Sequence, residues 1–265
     1  MPTRRPFPFL YEAFIIVLML FFTEYLVDAL IWNFGRDAGL QKIEIDSIGR
    51  VLACGLVFPV LMHYGRYTYR ELVHDNLHSW TYTILSFALP VLLLIPGLVL
   101  VEIMIERLVL VFFPMTQSMA DAMQTMIGSG LGSVLLVCFI APVVEEMLFR
   151  GIILRGFLRQ YTPGVAVVHS AAVFGLAHLN VYQFFGGFTI GVLLGAVYQR
   201  TRSLLPCILI HMSYNTAGVL LANRSGPETW GDPISLPLSW HMPAAICGCI
   251  GAWLLVRIVA AYRIA

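Results

Sequence analysis

The sequence predicts an all-α polytopic membrane protein, a bundle of about eight transmembrane helices. The 265 residues are 59% hydrophobic and 12% charged, with a mean hydropathy of +0.82, whereas a soluble domain is about 45–50% apolar and about 25% charged. The apolar residues also fall in long runs, and a spanning helix needs about 20 of them. The formal net charge of +1 excludes the strongly basic surface of a nucleic-acid-binding protein.

Eight apolar segments are candidates for these helices. The fifth and sixth are short for a full span, which favours helices packed inside the bundle. Pro90 and Pro96 are expected to kink the third segment, because each removes a helix hydrogen bond. The segments are residues 9–32, 48–64, 80–101 or on to 113, 130–149, 164–179, 184–198, 204–222 and 241–259.

Charged stretches separate or interrupt the apolar segments. Residues 37–50 form a predicted mixed-charge loop, and residues 66–79 an amphipathic stretch along the membrane surface. Glu24 and Asp28, near the end of the first segment, suit either capping at the interface or a substrate path. Glu102 is expected to mark the polar end of the third segment.

The distribution of basic residues predicts that both termini are cytoplasmic, in the plasma (inner) membrane. With eight spans and a cytoplasmic N-terminus, eleven basic residues lie inside and five outside, as the positive-inside rule requires. This orientation puts Glu145 towards the cytoplasmic side. The inside set is Arg4, Arg5, Arg66, Arg70, Arg150, Arg155, Arg159, Arg200, Arg202, Arg257 and Arg263, and the outside set is Arg36, Lys42, Arg50, Arg107 and Arg224.

The cysteines are expected to be packed thiols in apolar helices. Their number is odd, and Cys247 and Cys249 are too close in sequence for an easy bridge. A buried thiol behaves as a small apolar side chain. The sequence therefore predicts neither a disulfide nor a zinc cluster. The five cysteines are Cys54, Cys138, Cys207, Cys247 and Cys249.

Two adjacent carboxylates, Glu145 and Glu146, follow directly on apolar residues that are typical of a membrane-embedded helix. An ionised carboxylate is costly there and is a functional-site candidate by default. Arg150 lies four residues after Glu146, so these two share a helix face and are expected to pair. Glu145 points about 100° away and stays free to face something else. The alternative is that both carboxylates are simply solvated at the membrane boundary.

Two later apolar segments carry His and Asn side chains. His178 follows four residues after Phe174, and Asn215 four residues after His211, so each pair projects from one helix face. A lone buried His is more often a satisfied core residue than a catalyst. Polar groups on three helices of a small bundle, however, must find partners away from water, and the nearest partners are one another.

Taken together, these motifs resemble those of the CPBP intramembrane proteases, the glutamic endopeptidases related to the type II CAAX prenyl endopeptidases. The resemblance covers about residues 131–221, and the N-terminal four-ninths of the chain carries no matching motif. The motifs are Glu145-Glu146-x-x-x-Arg150, Phe174-x-x-x-His178 and His211-x-x-x-Asn215.

The resemblance implies a membrane-embedded endopeptidase that uses neither a metal nor another cofactor. Glu145 would be the general base that activates a water, and His178 would help to hold and deprotonate that water. His211 and Asn215 would donate hydrogen bonds to the oxyanion that develops on the scissile carbonyl. The supporting residues would be Glu146, Arg150 and Phe174.

The resemblance also implies a substrate and a division of the chain. The substrate would be a membrane-associated protein or peptide in the lipid bilayer, processed near its C-terminus. The compact chain and its short loops favour a substrate without a prenyl group. The sequence does not predict the oligomeric state. Residues 1–127 would hold N-terminal helices and the surface segment, residues 128–223 the catalytic core, and residues 224–265 a C-terminal loop and helix.

Other classes of protein remain open at this point. Glu145, His178 and His211 supply enough ligand types for a zinc hydrolase with one open position, although no His-Glu-x-x-His pairing is present. A non-catalytic scaffold or immunity-type membrane protein would use the same polar residues to hold the bundle together in a dry, fully paired network. A transporter fits less well, because no inverted duplication is detected.

Overall fold

The computed structural model describes residues 5–121, 130–225 and 237–262. These ranges are mainly helical, and seven of their helices are long and apolar enough to cross a membrane. The prediction of an all-α polytopic bundle is confirmed, and the chain is an integral multi-pass membrane protein. The long helices are α1 (Leu10–Asp37), α2 (Lys42–Gly65), α4 (Trp80–Phe112), α5 (Leu131–Phe157), α7 (Val181–Thr201), α8 (Leu204–Ser225) and α9 (Leu238–Ala261), and the short ones are α3 (Tyr69–Val73) and α6 (Pro163–Leu176).

Two predicted boundaries are wrong. Residues 37–50 do not form a loop, because α2 begins at Lys42. The sixth segment is not short, because α7 has 21 residues and begins directly after Asn180, whose side chain caps it by accepting the Gln183 N–H (2.8 Å). The third segment has the longer of its two predicted extents, because α4 continues to Phe112, so Glu102 lies inside this helix and not at its end. The predicted boundary at residues 127/128 and two basic residues of the orientation argument, Arg4 and Arg263, lie outside the described residues.

Small residues let neighbouring helices approach closely at two crossings. A Cβ atom added at Gly97 of α4 would lie 2.6 Å from the Cα atom of Gly248 in α9. A Cβ atom added at Gly191 of α7 would lie 3.0 Å from the Ala171 Cβ atom in α6. Helices in membranes associate largely through such close packing. The second crossing holds α6 against α7 and so fixes the helix that carries His178.

The segment between α2 and α4 docks on the ends of other helices. The Arg155 guanidinium of α5 donates to the Glu71 carbonyl and to the Asp75 carboxylate, both at 2.6 Å. The Asn76 amide donates to the Thr201 carbonyl at the end of α7 (2.7 Å). These contacts tie the segment to α5 and α7.

All five cysteines are unpaired; three are buried, Cys247 is half-buried and Cys249 is exposed.

Candidate active site

The helix that carries the two glutamates is not a regular α-helix. Two π-helical stretches, Leu136–Ile140 and Met147–Leu154, flank the short α-helical stretch Ala141–Glu146. Pro142 supplies a physical reason for the first, because a proline ring clashes with the carbonyl four residues earlier in an α-helix and a wider turn relieves the clash. The two carboxylates therefore lie between two widened turns.

Glu146 and Arg150 form the predicted ion pair, in the core of the bundle. Arg150 Nη1 lies 2.7 Å from Glu146 Oε1, and both side chains are at most 1% exposed. The Arg150 guanidinium also lies over the Phe174 ring, 4.6 Å from its centre, and donates to the Gly191 carbonyl (3.3 Å). Buried charges persist only when they are paired in this way. The pair joins α5, α6 and α7.

His211 of α8 connects the two glutamates. Its Nδ1 atom lies 2.8 Å from Glu146 Oε1, the same oxygen that accepts from Arg150. Because an ionised carboxylate only accepts hydrogen bonds, Nδ1 carries the proton and donates. The Nε2 atom then faces the other glutamate, 3.8 Å from Glu145 Oε2.

Glu145 points away from Glu146, as the helix phase predicts. Its side chain is 21% exposed, whereas that of Glu146 is fully buried. Two nitrogen atoms of basic side chains lie within 4 Å of its carboxylate oxygens, His211 Nε2 and Arg50 Nη1, the latter at 3.7 Å from Glu145 Oε1. Both distances exceed the 2.7–3.2 Å of an N–H···O hydrogen bond. These neighbours therefore leave the carboxylate oxygens open to a further donor.

The Asn215 side chain of α8 is held by a backbone carbonyl of α5 that lacks its usual hydrogen-bond donor within that helix. The N–H of Ala141 bonds to the Leu136 carbonyl, five residues back, and Pro142 has no N–H. Neither residue 141 nor residue 142 therefore donates an N–H to the Val137 carbonyl. This carbonyl instead accepts a hydrogen bond from the Asn215 side-chain amide, at 2.8 Å. The irregular turn before Glu145 in this way orients a side chain of α8.

His178 lies at the end of α6 and is oriented by its own helix. Its Nδ1 atom lies 3.0 Å from the Phe174 carbonyl, so Nδ1 donates and Nε2 is an acceptor. The Phe174 ring meets both imidazoles edge-on, with centroid distances of 5.0 Å to His178 and 5.8 Å to His211. Phe174 thus separates and supports the two rings.

One cavity of about 1150 Å³ joins the predicted residues. Glu145, His178, His211 and Asn215 all line it. This volume is slightly larger than the roughly 300–1,000 Å³ typical of ligand pockets. Among the described residues no group of three or more His, Cys, Asp or Glu is placed to hold a metal ion.

Helices that carry none of the three motifs also line the cavity. Glu24 of α1 and Arg50 of α2 line it and pair with each other, at 3.0 Å. Glu102 of α4 and Tyr214 of α8 line it too. The motifs do not predict Arg50 or Tyr214. A charged residue inside an apolar segment is the sequence signal for Glu24 and Glu102.

The fold and the cavity define a class, a multi-pass membrane protein with a polar site between its helices. Residues 127–217 match the family model of the Rce1-like type II CAAX prenyl endopeptidases, which confirms the resemblance seen in the three motifs. The match spans roughly a third of the chain and points to a protease, an intramembrane endopeptidase of the CAAX type. No curated protein and no solved structure matches the chain.

Proposed function

We propose that the protein is a metal-independent glutamic endopeptidase that hydrolyses a peptide bond of a membrane-associated protein or peptide. One observation carries the proposal: the carboxylate of Glu145 faces the cavity without a short bond to its charged neighbours, while His178, His211 and Asn215 line the same space. A dry, fully paired polar network, as expected of a scaffold, would not leave this carboxylate open to a cavity.

In the proposed reaction Glu145 acts as the general base. It takes a proton from a water in the cavity, the water oxygen attacks the scissile carbonyl, and the proton passes to the leaving amine. The Nε2 atom of His178 accepts a second hydrogen bond from the same water, since Nδ1 is committed to the Phe174 carbonyl. Positioned acid–base groups of this kind contribute about 10²–10⁴-fold to rate.

His211 and Asn215 stabilise the oxyanion in this proposal. The Asn215 amide has two N–H groups, and its bond to Val137 uses one of them. His211 donates to Glu146 through Nδ1, and its Nε2 atom donates to the oxyanion when that atom carries a proton. A donor of this kind contributes about 3 kcal/mol to transition-state stabilisation.

The proposed substrate is an unprenylated membrane protein or peptide, cut near its C-terminus on the cytoplasmic side of the plasma (inner) membrane. Both chain termini are placed in the cytoplasm, because the predicted distribution of basic residues favours that side. The match to CAAX-type endopeptidases supports processing near a C-terminus.

The test is cleavage of two peptides by the purified protein in liposomes, one farnesylated on a CAAX cysteine and one not. We expect cleavage that resists metal chelators, and a loss of about 10²-fold or more in His178→Ala because the water loses an acceptor. The unprenylated peptide is expected to be the better substrate. Chelator-sensitive cleavage with stoichiometric zinc would instead support a zinc hydrolase, and full activity of His178→Ala would remove that residue from the mechanism.

Pro142→Ala tests the link between the widened turn and Asn215. The new N–H competes for the Val137 carbonyl, so Asn215 loses its fixed orientation, and kcat in the same assay is expected to fall about 10-fold with KM changed less than about 2-fold. Pro59→Ala, a matched substitution inside α2, is the control and is expected to cleave at the normal rate. Equal rates for the two variants would contradict the role given to Pro142.

A further inference from the structure

Arg50 of α2 lies between carboxylates of two other helices. Its Nε atom is 3.0 Å from Glu24 Oε1 of α1, and its Nη1 atom is 3.7 Å from Glu145 Oε1 of α5. Residue 50 lies well outside the segment that matches the endopeptidase family, residues 127–217. The contact therefore brings a residue from outside the matched segment to the proposed general base.

The two contacts of Arg50 differ in kind. The contact with Glu24 is a hydrogen-bonded ion pair, since 3.0 Å lies within the range for N–H···O bonds. The contact with Glu145 is beyond that range and is a charge–charge contact only. Glu24 thus fixes the guanidinium, and the guanidinium attracts Glu145 without occupying the lone pairs that a water must use.

The low solvent exposure of these side chains strengthens the attraction between Arg50 and Glu145. The side chains of Arg50, Glu24 and Glu145 are 31%, 15% and 21% exposed, so solvent screens the charges less than at an open surface. A fixed cation beside Glu145 favours one orientation of its side chain, in a cavity that further carboxylates line. They are Asp28, Asp46, Glu102 and Glu106.

We propose that Arg50 is a positioning residue for the proposed reaction, and that Glu24 positions Arg50 in turn. Arg50 aims the Glu145 carboxylate into the cavity, where His178, His211 and Asn215 meet the substrate. This inference rests on the proposed function, because it assigns a task to Arg50 only if Glu145 is the base.

The test compares kcat and KM of four variants in liposomes, with the farnesylated and unprenylated peptides as probes. Arg50→Gln is expected to lower kcat about 10- to 100-fold with KM changed less than about 2-fold, since a misplaced catalytic group costs that much. Arg50→Lys is expected to recover part of kcat because it keeps the charge. Glu24→Gln is expected to lower kcat by a smaller factor, since Arg50 remains. Arg36→Gln, an exposed arginine at the end of α1, is the control and is expected to match the unmodified protein.

Two results would overturn the inference. Unchanged kcat in Arg50→Gln would show that the Glu24 pair only joins two helices. A raised KM at constant kcat, together with lost discrimination against a C-terminally amidated peptide, would show that Arg50 binds the substrate carboxylate instead. If Arg50→Gln does not fold, Arg50→Lys and Glu24→Gln carry the same comparison. Other results would refute the proposed function itself: normal cleavage by Glu145→Gln, or cleavage of neither peptide by the unmodified protein.

Discussion

Glu145→Gln is expected to abolish processing, with a loss of at least about 10³-fold in the cleavage rate. Glutamine has nearly the same shape as glutamate, so the packing of α5 stays intact, but a neutral amide cannot take a proton from water. Glu145→Asp keeps the carboxylate and moves it back by one methylene, and it is expected to retain a small fraction of the activity. The pair of variants separates the need for a base from the need for its position.

The measurement compares full-length and processed forms of membrane-associated proteins in cells that carry each variant. The substrate need not be identified in advance, because substrates are the proteins that stay unprocessed in Glu145→Gln cells. The control is Asp37→Asn, the same change from carboxylate to amide at an exposed residue at the end of α1. Processing at the normal level in Glu145→Gln cells would refute the assignment of Glu145 as the base.

Arg150→Met is expected to produce the largest loss of stability, about 3–5 kcal/mol. The substitution preserves much of the side-chain volume but leaves the fully buried Glu146 with His211 as its remaining charged neighbour. An uncompensated buried charge is far more harmful than a lost surface pair. The variant is therefore expected to unfold at a much lower temperature in detergent and to give a reduced yield from membranes.

Lys42→Met provides the contrast at the same helical spacing. Lys42 and Asp46 also form an i, i+4 ion pair, at 2.6 Å, but the lysine side chain is 73% exposed. Exposed pairs of this kind contribute about 0.2–1 kcal/mol, so this variant is expected to unfold close to the normal temperature. Similar melting temperatures for Arg150→Met and Lys42→Met would mean that burial of the Glu146 pair contributes little to the fold.

The parts of the site that follow from local helix geometry could be predicted from the sequence. A spacing of four residues places Glu146 beside Arg150, and it leaves Glu145 on another face of the same helix. That rule needs only the helical repeat, and the hydrophobic runs identify the helices themselves. The same reasoning places His211 and Asn215 on one wall of the cavity.

The remaining parts depend on packing between distant segments, for which the sequence carries no local signal. Arg50 lies within an apolar helix and becomes part of the site only because α2 packs beside α5. The bond from Asn215 to Val137 depends on where a proline interrupts the hydrogen bonding of another helix. The two possible ends of α4, at residues 101 and 113, could not be told apart from the sequence, because charge inside a span resembles the end of a span, although it here lines a cavity.

The widened turns on either side of the glutamates make the residue count of α5 part of its chemistry. Each residue in an α-helix advances the side chains by about 100°, and a π-helical turn holds more residues than an α-helical one. Removing one residue from Leu136–Ile140 would let this turn tighten into a regular α-helical one with Glu145 still facing much the same way, because the wide turn only accommodates one additional residue. The shorter helix would instead lose the carbonyl that the wide turn leaves for Asn215, so the length of this stretch of α5 determines how a side chain of α8 is oriented.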